Sequence, residues 1–193
     1  MPSDYYQENA TQFFQDTQAV DMRPLYERVL PMLRPGGHIV DAGCGSGRDA
    51  RYFAEQGFMV SAFDASAELV ALAREYTGLN VRHCRFMDFH ADSPVDAVWA
   101  CASLLHVPLA DLSDTFIHLA AQLTENGLIY CSFKYGEGEV LRGDRRFTDL
   151  TETGLADLLQ QTPVSIRECW ITQDRRPGRD QEKWLNAILE QMK

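Results

Sequence analysis

Glycine stands at positions 43, 45 and 47, an aspartate precedes the first by two residues, and a second aspartate closes the next apolar run at position 64. Three missing Cβ atoms within five residues let a backbone bend sharply and touch a ligand directly. A helical pattern opens at Arg48, so the free amides of its first turn face whatever the bend holds. Asp64 follows Gly43 by 21 residues, the usual separation between a glycine turn and a carboxylate that accepts from ribose hydroxyls. The chemistry indicated is the holding of an adenosine cofactor. The dinucleotide fingerprint GxGxxG needs its third glycine at position 48, where this chain has arginine. A tight connection that holds no ligand is the alternative reading of the same glycines.

Such a turn must follow a strand, and short apolar runs do alternate with helical periods. Strands are expected at His38–Ala42, Met59–Phe63, Val81–Arg85, Ala97–Ala100, Leu128–Lys134 and Ser165–Thr172. Several are apolar throughout, as in a parallel sheet covered on both faces. Helices are expected at Arg48–Gln56, Ala67–Thr77, Leu109–Leu123 and Glu152–Gln161. Gly57, Gly78 and the "NG" at 126–127 mark helix stops. "SAEL" at 66–69 reads as a capping box, and Thr151 as the cap of a later helix. Residues 25–37 read as a helix ending at Pro-Gly-Gly, and Tyr6, Ala10, Phe13 and Phe14 share one face of a short helix upstream. The "EKWLNAILEQMK" segment fits a helical face and a strand equally well. Strand alternating with helix predicts a doubly wound α/β fold with a parallel sheet. Ligands then lie beyond the carboxyl ends of the strands.

Beyond the glycines, "DAGCGSG" at 41–47 resembles the first motif of the class I S-adenosylmethionine-dependent methyltransferases, an acidic residue followed by xGxGxG. "YYQENA", "FKYGEGE", "FTDLT", "RPGR" and "WLNAIL" look like one bacterial branch, the tellurite-resistance-like methyltransferases. The resemblance implies a Rossmann-like seven-stranded sheet of order 3-2-1-4-5-7-6 with an antiparallel last strand, which tips "KWLNAILE" towards strand. It implies one domain over residues 1–193, with 1–24 as a helical lid. Gly43, Gly45 and Gly47 would pass beneath the methionine half of S-adenosylmethionine, together with Ala42, Cys44 and Arg48. Asp41 would orient the cofactor's ammonium. Asp64, with Ala65 and Ser66, would bind the ribose. Asp88 would accept from the adenine amino group between Met87 and Phe89. "ACASLLHV" at 100–107 would floor the reactive sulfur and bring Cys101 to the cofactor, while Tyr6 would close over it from the lid. Tyr5, Tyr6 and Phe13 otherwise simply pack a helix on the sheet.

Methyl transfer is an in-line displacement that asks a protein chiefly for alignment in a dry pocket. The "ACAS" after the fourth strand lacks the [DN]PP[YFW] stretch of amino-methylating DNA enzymes, and no proline precedes any cysteine as in cytosine-carbon enzymes. Cys101 reads mainly as a packed thiol. His106 is the catalytic base expected, since its ordinary pKa suits proton transfer; the alternative is a histidine that only ties its loop. Arg142, Arg145 and Arg146 follow the fifth strand, and Arg175, Arg176 and Arg179 follow the sixth. Arg146 and Arg176 are expected to fork onto an anionic acceptor, unless neighbouring carboxylates neutralise these loops.

The 193 residues carry a net charge of −10, which argues against nonspecific binding to nucleic acid or anionic membrane. The five cysteines have no zinc-site spacing and the five histidines form no HxxxH pair, so no metal is expected. Without a signal-like opening or a spanning apolar run, the chain reads as cytoplasmic, monomeric or homodimeric. The activity expected is S-adenosylmethionine-dependent methylation, with S-adenosylhomocysteine as product. The acceptor expected is a small molecule, a metalloid oxyanion or a carboxylate metabolite. A non-catalytic S-adenosylmethionine-binding module and a nicotinamide-dependent oxidoreductase are the rival readings.

Overall fold

The computed structural model describes residues 2–176, 178–179 and 181–192, with side chains from Tyr5 onward. Pro177, within the "RPGR" stretch, lies outside the described residues. The first half alternates as expected: β1 (His38–Ala42), α4 (Arg48–Glu55), β2 (Met59–Asp64), α5 (Ala67–Thr77), β3 (Val81–His83), β4 (Val95–Ala100), α6 (Leu109–Ala120) and β5 (Leu123–Lys134). α5 illustrates why its sequence folds locally. The Ser66 side chain accepts from the Leu69 amide, Leu69, Val70 and Ala73 are buried, and Gly78 ends the helix at φ 70°. Position 69 is leucine rather than Glu or Gln, so only half of the expected capping box forms.

Seven strands make one sheet in the order β3-β2-β1-β4-β5-β9-β8, where β8 is Val164–Gln173 and β9 is Lys183–Gln191. β9 runs antiparallel to both neighbours, so the ambiguous C-terminal segment is a strand. Numbered along the whole chain, the order ends 9-8 instead of the expected 7-6. A hairpin, β6 (Gly138–Arg142) and β7 (Arg145–Asp149), forms a separate two-stranded sheet before α7 (Glu152–Leu159) and shifts the count. The sequence alone reads as a loop here. Gly143 and Asp144 make its two-residue turn, with Gly143 at φ 61°, which is a recognisable hairpin signal.

Alternate residues of the central strands enter two cores. On one face Ile39, Trp99 and Tyr130 pack with Tyr26 of α3 (Arg23–Val29) and Phe53 of α4. Val40, Val98 and Ile129 pack on the other with Leu112 and Phe116 of α6 and Leu155 of α7. This double cover is why β1 and β4 are buried throughout. The "NG" at 126–127 lies inside β5, beside a register shift opposite Val95 and Ala97, and α6 has already ended at Ala120. The N-terminal helix is two helices, α1 (Pro2–Glu8) and α2 (Ala10–Thr17), broken at Asn9, whose φ is −116°. Among the described residues no helix is long and apolar enough to cross a membrane.

Candidate active site

The glycine turn bends where expected, with φ of 74°, 54° and 77° at Gly43, Gly45 and Gly47. A Cβ on Gly43 would lie 2.6 Å from that of Ser103, one on Gly45 3.0 Å from the Phe13 ring, and one on Gly47 2.6 Å from the Thr77 methyl. The missing side chains therefore let the β4 loop, the N-terminal helices and α5 close onto the turn. Gly43 and Cys44 both donate their amides to the Phe63 carbonyl at 2.9 Å. Asp64 accepts from the amides of Gly45 and Ser66, each at 2.9 Å, which couples the end of β2 to the turn. Burial raises the Asp64 pKa, and these amides counter it. Asp41 is buried and accepts from the Ala50 amide at 2.9 Å; burial and the nearby Asp49 carboxylate push its pKa up.

Arg48 is not an open ligand-binding guanidinium. Its fork closes on Asp49, which also accepts from the Tyr26 hydroxyl and, at 2.8 Å, from the Trp99 indole. Burial alone would raise the Asp49 pKa, yet Arg48 and these donors hold it below the usual carboxylate range. Arg48 also donates to the Thr17 carbonyl at 3.4 Å, tying α2 to the turn.

The three residues expected around adenine do not share one environment. Met87 is half exposed and Asp88 exposed, on the single turn after β3, whereas Phe89 is buried and stacks on Phe63 at 4.5 Å. Phe89 belongs to the core. Phe86 is the aromatic of this segment that lies beside the turn, 3.5 Å from where a Gly43 Cβ would sit. Ala42 is fully buried, its carbonyl accepting from the Ser103 hydroxyl at 2.6 Å. Ser66 is buried as the α5 cap, and Ala65 is exposed beside it.

After β4 the chain holds Ala102 at φ 51°, the one non-glycine residue with positive φ among those described. Such strain collects at functional loops, and the sequence offered no signal for it. His106 follows on a short turn. Its Nδ1 hydrogen donates to the Arg146 carbonyl at 3.3 Å, and its Nε2 accepts from the Tyr6 hydroxyl at 2.8 Å. Burial lowers its pKa to about 4, so the ring is neutral. Both nitrogens are engaged, and in this arrangement neither is open to an acceptor. Arg145 lies over the Tyr5 ring at 4.1 Å and donates to the Tyr6 hydroxyl at 3.4 Å. Burial raises the pKa of Tyr6. Gln7 reaches over the end of β2, its side-chain oxygen accepting from the Ala67 amide at 3.0 Å.

These walls enclose a cavity of about 860 Å³ that runs from the glycine turn to the ends of β5, β8 and β9. Asp41, Gly43, Cys44, Gly45, Arg48, Cys101, His106, Tyr6 and Arg176 line it; Ala42, Gly47, Asp64, Ala65, Ser66, Met87, Asp88, Phe89 and Arg146 do not. Burial pushes the Cys101 thiol up to about 12, so it is no thiolate nucleophile. Arg146 instead faces Glu139 at 3.6 Å on the outside of the hairpin. Arg176 forks onto Asp174, which also accepts from the Trp184 indole at 3.0 Å; burial opposes these contacts, but they hold Asp174 at about 2. Lys134, Glu182 and Trp184, which sequence reasoning missed, complete this end. Among the described residues eight Lys and Arg side chains line the cavity against five carboxylates, in a chain whose net charge is −10.

A family model described as a methyltransferase domain matches residues 39–127. An uncharacterized methyltransferase of Staphylococcus carnosus is 28% identical over 60% of this chain and 59% of its own length. Trans-aconitate 2-methyltransferase of Klebsiella pneumoniae is 30% identical over 79% of this chain and 60% of its own. This chain thus spans about three-fifths of the length of both curated relatives. The crystal structure of Burkholderia thailandensis 1,6-didemethyltoxoflavin-N1-methyltransferase, with bound 1,6-didemethyltoxoflavin and S-adenosylhomocysteine, superposes with TM-score 0.74 and 22% identity, covering 100% of this chain and 91% of that one. At that identity the likeness concerns the fold.

Proposed function

We propose that this chain is a class I S-adenosylmethionine-dependent methyltransferase that transfers the methyl group to a small anionic acceptor, a reading supported by the matched methyltransferase domain and the methyltransferase relatives. Residues 1–193 are read as one domain, with α1 and α2 as its lid. The residues present fit the cofactor. Asp41 offers the cavity a carboxylate for an ammonium, and the left-handed glycines let backbone approach a ligand closely. Asp64, at the end of β2, is the acceptor for the ribose hydroxyls, and Phe86, beside Gly43, takes the aromatic place expected of Phe89. The cofactor supplies a methyl group already activated by a sulfonium.

The observation that carries the acceptor's charge is the excess of cations in the cavity of an acidic chain. A field of that sign concentrates anions. An acceptor carboxylate oxygen would give its lone pair to the methyl carbon as the carbon–sulfur bond breaks, leaving a neutral ester and a thioether. No proton has to be removed, so His106 need not act as a base. The chain's own contribution is to align the partners and exclude water, with Tyr6 latched to His106 above them. A carboxylate acceptor suits the trans-aconitate relative, and a metalloid oxyanion suits the branch that "YYQENA" and "RPGR" resemble. Release of S-adenosylhomocysteine in a screen of small anions and matched neutral esters tests the reading. Turnover confined to anions supports it, and turnover confined to neutral acceptors overturns it.

A further inference from the structure

Three cations of the cavity are committed to carboxylates that have nowhere to go. Arg48 pairs with Asp49, Arg142 with Asp149 and Arg176 with Asp174, and those carboxylate side chains are only 6%, 4% and 3% exposed. Taking any of them away would strand a buried charge. Lys134 differs. Its side chain is 10% exposed at the last position of β5, yet its carboxylate partner, Glu182, is 37% exposed. Glu182 also has a second cation within reach, the Arg179 guanidinium at 3.5 Å. It can therefore leave Lys134 without becoming unpaired. Trp184, whose ring centroid lies 4.7 Å from the Lys134 nitrogen, walls the same spot.

We propose that Lys134 recognises the acceptor's anionic group, and that Glu182 holds this place until the acceptor displaces it. The inference rests on the anionic-acceptor reading and deepens it. Exchanging one oxyanion for another keeps the buried ammonium paired throughout, which avoids the cost of a bare buried charge. It also discriminates, since a neutral acceptor could not take the place of Glu182. The lysine is then a specificity-determining residue, and the glutamate an internal competitor.

The test compares wild type, Glu182→Gln, Lys134→Met and Lys134→Arg. S-adenosylhomocysteine release is followed with two acceptor arms, a set of mono-, di- and tricarboxylates, and selenite with tellurite. The arm that turns over identifies the source of the anion. Calorimetric titration of each variant with S-adenosylhomocysteine reports folding and the cofactor site separately. For the anion that is methylated, Glu182→Gln lowers KM by about threefold or more, because the competitor is removed. Lys134→Met raises it by at least about tenfold, Lys134→Arg restores part of that loss, and S-adenosylhomocysteine affinity stays put in all three. A merely structural ion pair would not produce a gain on loss of the glutamate. An unchanged or raised KM in Glu182→Gln overturns the proposal even if Lys134→Met fails to fold. Methylation of an anion with equal KM in all variants overturns it while sparing the anionic-acceptor reading. Binding of S-adenosylhomocysteine with no anion methylated overturns both.

Discussion

Tyr6, His106 and Arg145 show how single side chains decide what this cavity can do. A histidine on the loop after the fourth strand suggested a base, but its environment lowers its pKa to about 4 and both nitrogens are occupied. Lys134 is the side chain whose titration matters. Burial lowers its pKa to about 8; Asp174 opposes the shift, and Arg176, Arg142 and Arg179 add to it. With Glu182 as its ion-pair partner and the Trp184 ring beside it, these are the groups that face it. The ammonium form exists below about 8 and is lost as pH rises through that value. The KM of an anionic acceptor should therefore climb above about pH 8 while the KM of S-adenosylmethionine does not, as steady-state kinetics across pH would record. Arg48 belongs to the same scale. Arg48→Ala leaves Asp49 buried without its counter-charge, and chemical denaturation should show a loss of about 3–5 kcal/mol.

The elements hold the site through contacts that tolerate no extra atoms. At Gly47 an alanine would combine a left-handed backbone with a Cβ 2.6 Å from the Thr77 methyl; at Gly57, also left-handed at φ 85°, a Cβ would meet nothing within 4 Å. Gly57→Ala should cost about 1–2 kcal/mol, the backbone penalty alone. Gly47→Ala should cost more, because α4 and α5 must also part. Urea unfolding of the two variants side by side measures the difference. The β1–α4–β2–α5 unit was legible because its punctuation is strong, with glycines ending both helices and Ser66 capping the second. The β6–β7 hairpin was not, since its turn at Gly143–Asp144 lies among arginines that read as solvated loop. Asn9 likewise breaks an apolar face that periodicity alone continues across.

At the scale of the whole molecule, charge and topology divide the work. The sheet brings the glycine turn, the β4 loop and the ends of β5, β8 and β9 to one rim, and the cations gather there although the chain as a whole is acidic. The strand order was within reach of a family resemblance and the cofactor side within reach of a motif. The acceptor side was not, because what separates Lys134 from Arg176 is the exposure of each partner carboxylate, a property of packing rather than of spacing. Phe89 illustrates the same limit: it follows β3 as the spacing predicts, and packing against Phe63 places its ring in the core.

The central claim is that the turn at 43–47, with Asp41 and Asp64, holds an S-adenosyl ligand. Calorimetric titration of S-adenosylhomocysteine into wild type and Asp64→Ala tests it most directly, with NAD as the competing ligand. Saturable binding by wild type, weakened at least about tenfold by loss of the carboxylate, is the result expected. Binding of NAD without S-adenosylhomocysteine, or equal affinity in the two proteins, would contradict it.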